Sequence, residues 1–465
     1  MSEATPPPGV HRRIVVTGAS GNVGSGVLRA LARRLPDAQV VGVCRRPPTT
    51  GHLYERVHWH TVDLSAPGAA ADLAPAMRGA DVVIHLALAV QPARDVDYLY
   101  RANVLGTQAV LRAMDSAAIT QLVYASSLGI YAPGSTHPVD ETWPDTGQRT
   151  STYSRHKVDV ERMLDRFVRD HPATAVARFR PTVVVQREAA SLIRSVYLGP
   201  LVPKAAFDVL RRRLLPVLPL PAGLALQFVH ADDVGDAVVL MMLDRAEGSF
   251  NVAADVLDTR GLAALVGARP FDVAPRLMRA AVTALSSARL VALTPGWYDV
   301  ATNSPLMDTA KIRRELGWAP TRSSASCARE LIDGLAAGAT GTSAATGWKD
   351  EQRMAARRTS STIDRIHDYS LWLWSALALT RAVGFRRAGA PDVAVIAVNL
   401  VSGTPMALRR VRERRRDLVA LAAPVAVALA VASTHRGGWS PVAATATLVT
   451  LGMAERHRTS EGHGQ

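Results

Sequence analysis

The sequence predicts an α/β protein: a doubly wound parallel sheet, a smaller substrate-binding part and a C-terminal apolar helical region. Three observations predict it. Short apolar runs at 14–17, 40–43, 57–62, 82–86, 122–125 and 175–179 are separated by helix-length segments. Fully apolar runs with that spacing describe parallel strands covered on both faces. A glycine-rich turn, T-G-A-S-G-N-V-G, follows the first run, and Tyr153 and Lys157 stand four apart on a segment of helical periodicity.

Composition narrows the class. Of 465 residues, 48% are hydrophobic and 20% charged, which excludes a wholly disordered chain. Two cysteines, Cys44 and Cys327, cannot form a disulfide framework or a Cys-rich zinc site. The net charge is +14, and it is uneven. Residues 346–465 hold 17 basic and 9 acidic residues, or +8, leaving +6 for the rest. Such an excess suits an anionic membrane surface or nucleic acid. Nucleic acid is the weaker reading, because the basic residues flank apolar runs and form no aromatic-interleaved face.

The chain divides into four stretches. Residues 1–12 are Pro-rich and polar, with no apolar core of a signal peptide, and are expected to be disordered. Residues 13–335 form the α/β domain, with a cofactor part at about 13–181 and a substrate part at about 182–335. Prolines at 200, 203, 216, 219 and 221 make 199–225 read as a loop-rich insertion. Regular structure resumes with a strand at 227–230, a helix at 233–243 and a late helix at 311–318 stopped at Gly317. Residues 336–350 read as a linker, and 351–465 as an apolar helical region.

The glycine turn predicts a dinucleotide site. Gly18 allows the tight turn, Gly21 lets backbone approach a pyrophosphate and Gly24 permits close helix–strand packing. The helix opening at Asn22 and Val23 supplies N–H donors to the anion. The second strand ends in Cys44, Arg45 and Arg46, with no acid for a ribose hydroxyl. Arginines there suit a 2′-phosphate, so NADP is favoured over NAD. Asp63 either sits near the adenine or serves as a cap or turn residue.

The fifth run leads into Ser126 and Ser127, at the strand end where open α/β sheets bind ligands. Spacing i,i+4 puts Tyr153 and Lys157 on one helix face. A free tyrosine ionises near pH 10, and a nearby ammonium lowers that value. The phenol can then exchange a proton with a carbonyl–alcohol pair while hydride moves to or from a nicotinamide. A serine hydroxyl polarises the same oxygen. Lys157 snorkelling on an amphipathic helix is the alternative.

In this order the motifs resemble the extended short-chain dehydrogenase/reductases, closest to their NAD-dependent epimerase/dehydratase branch. They are T-G-A-S-G-N-V-G, V-D-L at 62–64, V-I-H-L-A at 83–87, N-V-L-G-T at 103–107, Y-A-S-S, Y-S-R-H-K, R-P at 180–181, F-V-H-A-D-D-V at 228–234 and E-L-G-W-A-P at 315–320. The resemblance covers about 13–335. It implies Ser127, Tyr153 and Lys157 as the catalytic trio. It also implies a cofactor path past Leu64, Leu86 and Ala87, Asn103 near the active site, and Asp233 as a structural helix cap. One departure matters: R-P-T-V-V-V-Q-R-E lacks the Asn and the Tyr-Gly-Pro that usually follow Arg-Pro in nucleotide-sugar members. A more hydrophobic ketone or alcohol becomes as plausible a substrate. Lys204 and Arg211–Arg213 are diphosphate candidates or a basic loop. His85 and His230 have no paired ligand spacing, and no metal is expected.

Uncharged runs at 418–434 and 439–454 flank a short polar turn, and R-R-V-R-E-R-R-R occupies 409–416. They read as a transmembrane or inserted hairpin with the arginines on the cytoplasmic side. A soluble helical appendage or dimerisation module is the alternative. The expected function is an NAD(P)-dependent oxidoreductase at the cytoplasmic face of a membrane, or in the cytoplasm, and a homodimer is compatible with it. A nucleotide-sugar epimerase/dehydratase with tightly held NAD is the second reading. A non-catalytic dinucleotide sensor or membrane scaffold is the third, and the Ser–Tyr–Lys set argues against it.

Overall fold

The computed structural model of the chain describes residues 12–48, 50–90, 95–198, 204–287 and 291–346. The chain separates into two compact units, 1–349 and 350–465, and every described residue belongs to the first. The readings made for residues 1–11 and 351–465, the membrane hairpin included, lie outside the described residues. Among the described residues no helix is long and apolar enough to cross a membrane.

The apolar runs become the central sheet. Its strands are β1 (Arg13–Thr17), β2 (Gln39–Cys44), β3 (Val57–Thr61), β4 (Val82–His85), β5 (Gln121–Ala125) and β6 (Ala175–Pro181). Three short strands follow, β7 (Val183–Val185), β8 (Val217–Pro221) and β9 (Ala225–His230), and then β10 (Gly248–Val252) completes the large sheet. Its order is β3-β2-β1-β4-β5-β6-β10, and every neighbouring pair is parallel. Two strands remain, β11 (Val256–Asp258) and β12 (Arg269–Val273). β11, β9 and β7 form a second sheet, and β12 and β8 a two-stranded ribbon.

Helices cover both faces, as the uninterrupted apolar strands require. On one side α1 (Asn22–Arg34) joins a core that includes Ile14, Val16, Val27 and Val238. On the other, α2 (Ala69–Met77), α3 (Val96–Tyr100), α4 (Gly106–Ser116) and α5 (Thr152–Asp170) precede the substrate part. Residues of α2, α4 and α5 surround Val15, Val83 and Leu122 there.

The substrate part adds α6 (Ala190–Ile193), α7 (Lys204–Arg211), α8 (Ala231–Leu243), α9 (Thr259–Leu265), α10 (Pro275–Ser287), α11 (Pro295–Asn303), α12 (Ala310–Leu316) and α13 (Ser324–Ala337). α8 returns to the central sheet and meets α1 with backbone against backbone. A Cβ on Gly26 would stand 2.0 Å from the Ala231 carbonyl oxygen, and one on Gly235 2.3 Å from that of Gly26. Only glycine permits that approach.

Three readings change. The proline-rich stretch is not all loop: it holds α7, and β8 carries Pro219 and Pro221 inside a strand. Proline is tolerated there because both strands of a two-stranded ribbon are edges. Asp233 is structural but does not cap α8, whose N-cap is His230. Asp233 instead accepts from the Thr321 amide (3.0 Å) and hydroxyl (2.6 Å) and so ties α8 to the turn before α13. Finally, residues 336–346 are not free of the domain. α13 runs to Ala337, Gly338 caps it at φ +67°, and buried Ser343 donates to the Ser20 carbonyl at 2.6 Å.

Candidate active site

β1 and β4 are neighbours from which the chain departs in opposite directions, so a crevice opens at their carboxyl ends. Gly18 turns the chain there with φ +70°, and a Cβ on it would stand 2.8 Å from the Ala87 amide nitrogen. Gly24 is buried, and its missing Cβ leaves room for the Gly18 carbonyl. α1 starts after Gly21 with no side-chain cap and no acid in its first turn. The first amides of such a helix need an acceptor from outside it, and a pyrophosphate supplies one. Asn22 does not point its amide into that position, because its Nδ2 donates to the Val184 carbonyl at 2.9 Å. Val23 packs against the core. Gln186 donates to Asn22 Oδ1 and Ser25 Oγ, both at 2.8 Å.

At the end of β2, Arg45 and Arg46 are exposed, and no acidic residue stands at the strand end itself. Arg45 donates to the Tyr98 hydroxyl and lies over its ring. Asp63 accepts from the Ser65 amide (2.9 Å) and hydroxyl (2.7 Å), which makes it a turn residue. Burial raises its pKa, but the Ser65 bonds and the charge of Arg45 outweigh that and hold it below the usual carboxylate value. Leu64 packs on Gly106. Leu86 and Ala87 line the loop after β4, half-buried. Asn103 pins that loop: it accepts from the Ala89 amide at 2.7 Å and donates to the Ala89 carbonyl at 2.9 Å.

His85 ends β4 in a polar chain. Thr107 Oγ1 donates to the Asn103 carbonyl at 2.7 Å, so it accepts from His85 Nε2 at 2.9 Å. His85 Nδ1 then accepts from Thr17 Oγ1 at 2.6 Å. The network thus assigns the tautomer. Burial, with the nearby Lys157 charge, drives the His85 pKa down to about 3, and the ring is neutral. His230 is engaged at the start of α8, where its ring accepts from the Asp232 amide at 3.1 Å.

β5 delivers Ser126 and Ser127, and the two have different surroundings. Ser126 Oγ donates to the buried carboxylate of Glu161. Ser127 caps a short turn, accepting from the Gly129 amide at 3.0 Å, and its hydroxyl faces Tyr153. Ser127 and Tyr153 therefore meet at the carboxyl end of β5, and Lys157 lies one turn farther along α5. Burial dominates Tyr153. Burial pushes the phenol up to about 12, and Ser127 offsets only part of this. The Lys157 ammonium donates to the Ala125 carbonyl and, at 3.2 Å, to the Tyr124 hydroxyl. Burial lowers its pKa to about 7 against the opposing charge of Glu161.

Glu161, one turn beyond Lys157, anchors the floor. It pairs with Arg180 at 2.6 Å and Arg178 at 3.4 Å, all three nearly enclosed. Burial raises its pKa, but the Arg180 bonds and charge, with Ser126 and Arg178, bring the net value below normal. Its i,i+4 spacing from Lys157 was visible in the sequence. Trp297 and Tyr197 were not: Trp297 stacks on Tyr153 with ring centroids 4.5 Å apart, and Tyr197 meets Trp297 edge-on at 5.3 Å. Nothing local in the sequence ties these residues to Tyr153. α11 places Trp297 because Asp299 accepts from Thr150 and Arg279, both at 2.7 Å.

A glycine-led, uncapped helix at the switch point of a parallel sheet defines the class: an enzyme that works with a dinucleotide. Residues 14–253 match the NAD dependent epimerase/dehydratase family, and the chain belongs to that family. Among curated proteins it is 26% identical to the uncharacterized protein y4nG of Sinorhizobium fredii, over 67% of this chain and 75% of that one. It is 32% identical to a 4-hydroxy-2-methyl-3-oxo-4-farnesyl-3,4-dihydroquinoline-1-oxide ketoreductase of Stigmatella aurantiaca, over 33% of this chain and 45% of the relative. The chain thus spans three quarters of the first and less than half of the second. Among solved structures, a UDP-glucose 4-epimerase from Thermotoga maritima shares the fold at TM-score 0.52 and 17% identity, over 70% of this chain and 99% of that one.

Proposed function

We propose that residues 13–335 form an NADP-dependent oxidoreductase that interconverts a carbonyl and a hydroxyl group on an apolar substrate, with Ser127, Tyr153 and Lys157 as its catalytic residues. The pairing of Ser127 with Tyr153 at the carboxyl end of β5, in a sheet that also carries the uncapped start of α1, supports the reading. Gly18, Gly21, Gly24 and the first amides of α1 would hold the pyrophosphate, with Leu86 and Ala87 along the path. Arg45 and Arg46 would meet the 2′-phosphate. Hydride exchange with the substrate carbon would be supplied by a nicotinamide held there. Ser127 Oγ polarises the carbonyl oxygen, and the Tyr153 hydroxyl gives that oxygen its proton in reduction and takes it back in oxidation. Lys157, one turn along α5 from Tyr153, would hold the nicotinamide ribose, as the family's lysine does, with its ammonium oriented by the Ala125 carbonyl and the Tyr124 hydroxyl. The absence of the Asn and Tyr-Gly-Pro after Arg180–Pro181, and the likeness to a ketoreductase whose named substrate carries a farnesyl group, favour an apolar substrate.

Residues 336–350 lead into a C-terminal region, 351–465, that we assign to anchoring at the cytoplasmic face of a membrane. The uncharged runs at 418–434 and 439–454 and the arginines at 409–416 support it. Full-length protein is then expected to pellet with membranes and to resist high salt, and recovery in the supernatant would overturn the anchor.

Tyr153→Phe tests the chemistry. It is expected to keep NADP affinity while lowering turnover by about 10²-fold or more. Full turnover would remove the assignment. Tightly retained NAD in the purified protein would point instead to an epimerase, in which hydride returns to the same substrate.

A further inference from the structure

The three most exposed large hydrophobic side chains among the described residues are Leu277 (67%), Leu214 (64%) and Phe271 (59%). All three belong to the substrate part, on or beside the β8–β12 ribbon and α10. The parallel ribbon spaces them, with Leu214 beyond its starting end, Phe271 within it and Leu277 beyond its far end. Val217 pairs with Arg269 and Pro219 with Phe271 in parallel register, so these four share one face. The alternate residue Leu218 turns inward onto a core with Val185 and Phe228. Leu214 lies just before β8, and Leu277 in the first turn of α10, just after β12.

The rim of this apolar face is basic. Residues 204–224 and 267–287 together hold seven Lys or Arg and two Asp. Arg211, Arg212, Arg213, Arg269 and Arg276 are exposed, and Arg213 lies against Gly267 at the approach to β12. Apolar side chains left in water and ringed by arginines match the boundary of an anionic bilayer. There the apolar groups enter the acyl layer and each arginine meets lipid phosphate. A protein partner of ordinary composition would not need such a predominantly basic rim, even with Arg211 paired to Asp208 and Arg279 to Asp299.

We propose that this face, centred on Leu214, Phe271 and Leu277, docks the catalytic unit on an anionic phospholipid surface. The inference uses no residue of the C-terminal region and no catalytic residue. Docking by this face would place the substrate part against the phase in which an apolar substrate resides.

The test places a polarity-sensitive fluorophore on Leu277→Cys in the full chain, with Asp37→Cys, exposed between α1 and β2, as the control. Vesicles of phosphatidylcholine with phosphatidylglycerol are expected to shift the emission at 277 to the blue and leave 37 unchanged. Replacing Arg212 and Arg276 with Glu is expected to raise the lipid needed for half the shift by about tenfold or more. An unchanged signal at 277 on protein that sediments with the vesicles would overturn the proposal, because the chain would then bind lipid through another part alone. A blue-shifted signal at 277 before vesicles are added would overturn it too. Dependence of that signal on protein concentration would show a second copy covering the face, and independence a segment of the same chain.

Discussion

The ring of Tyr153 lies against the indole of Trp297, with centroids 4.5 Å apart and planes inclined by 28°. The contact joins α5 to α11 across more than 140 residues of sequence, and it restricts the phenol to one orientation beside Ser127. Stacked aromatic pairs contribute about 0.5–1.5 kcal/mol beyond burial. Trp297→Ala is therefore expected to lower kcat/KM by roughly tenfold, mostly in kcat, and Trp297→Phe to recover most of it. Steady-state NADPH oxidation decides this, and an alanine variant with wild-type kcat would make the indole a spectator.

Lys157 costs the fold stability near neutral pH. The unfolded chain holds its proton up to about pH 10.5, whereas the folded chain releases it at about 7. Between those values the unfolded state binds more protons, so this group makes stability rise with pH from 7 to 10.5. Below 7 the penalty is complete. Lys157→Met is expected to gain on the order of a few kcal/mol at pH 7 and to lose turnover. Thermal melts from pH 6 upward check it, and a variant that melts lower throughout would show that the ammonium stabilises the fold.

His85 acts on the acid side. Folded, it stays neutral down to about pH 3, while the unfolded imidazole takes a proton near 6.5. Stability must then fall as pH drops from 6.5 toward 3. Glu161, held below its ordinary value, adds to the loss once pH falls through its folded pKa. His85→Gln is expected to flatten the upper part of this decline, seen as urea midpoints at pH 7 and pH 5. An identical decline would place its cause elsewhere.

Arg45 stands exposed at the end of β2, and the strand end itself carries no acid. Arg45→Asp is expected to weaken NADP and strengthen NAD, changing the ratio of dissociation constants by about tenfold or more. Tighter binding of NAD than NADP by the unaltered protein would already contradict the premise.

Ser343 closes the domain by donating to the Ser20 carbonyl inside the glycine turn. A chain ending at Lys349 is expected to bind cofactor as the full protein does. Ser343→Ala is expected to lose about 1 kcal/mol, a shift of ~2–4 °C in Tm for a domain of this size. No change in melting would mean that the contact carries no weight.

The sequence by itself determined the sheet and the dinucleotide crevice, because both rest on local patterns. Apolar runs between helix-length segments can only be covered parallel strands, and Gly18 and Gly24 stand where a Cβ would strike backbone. Spacing along α5 likewise placed Tyr153 and Lys157 on one face, and β5 brought the serines to its end. Tertiary structure decided what the charges do. Whether Lys157 faces Tyr153 or Tyr124 depends on side chains converging from separate strands and helices, and burial acts on each of them. Tyr197, Trp297 and Ser343 lie 40 or more residues beyond Lys157. Their contacts depend on how α11 and the end of α13 pack, and packing of that range leaves no periodic trace in a sequence.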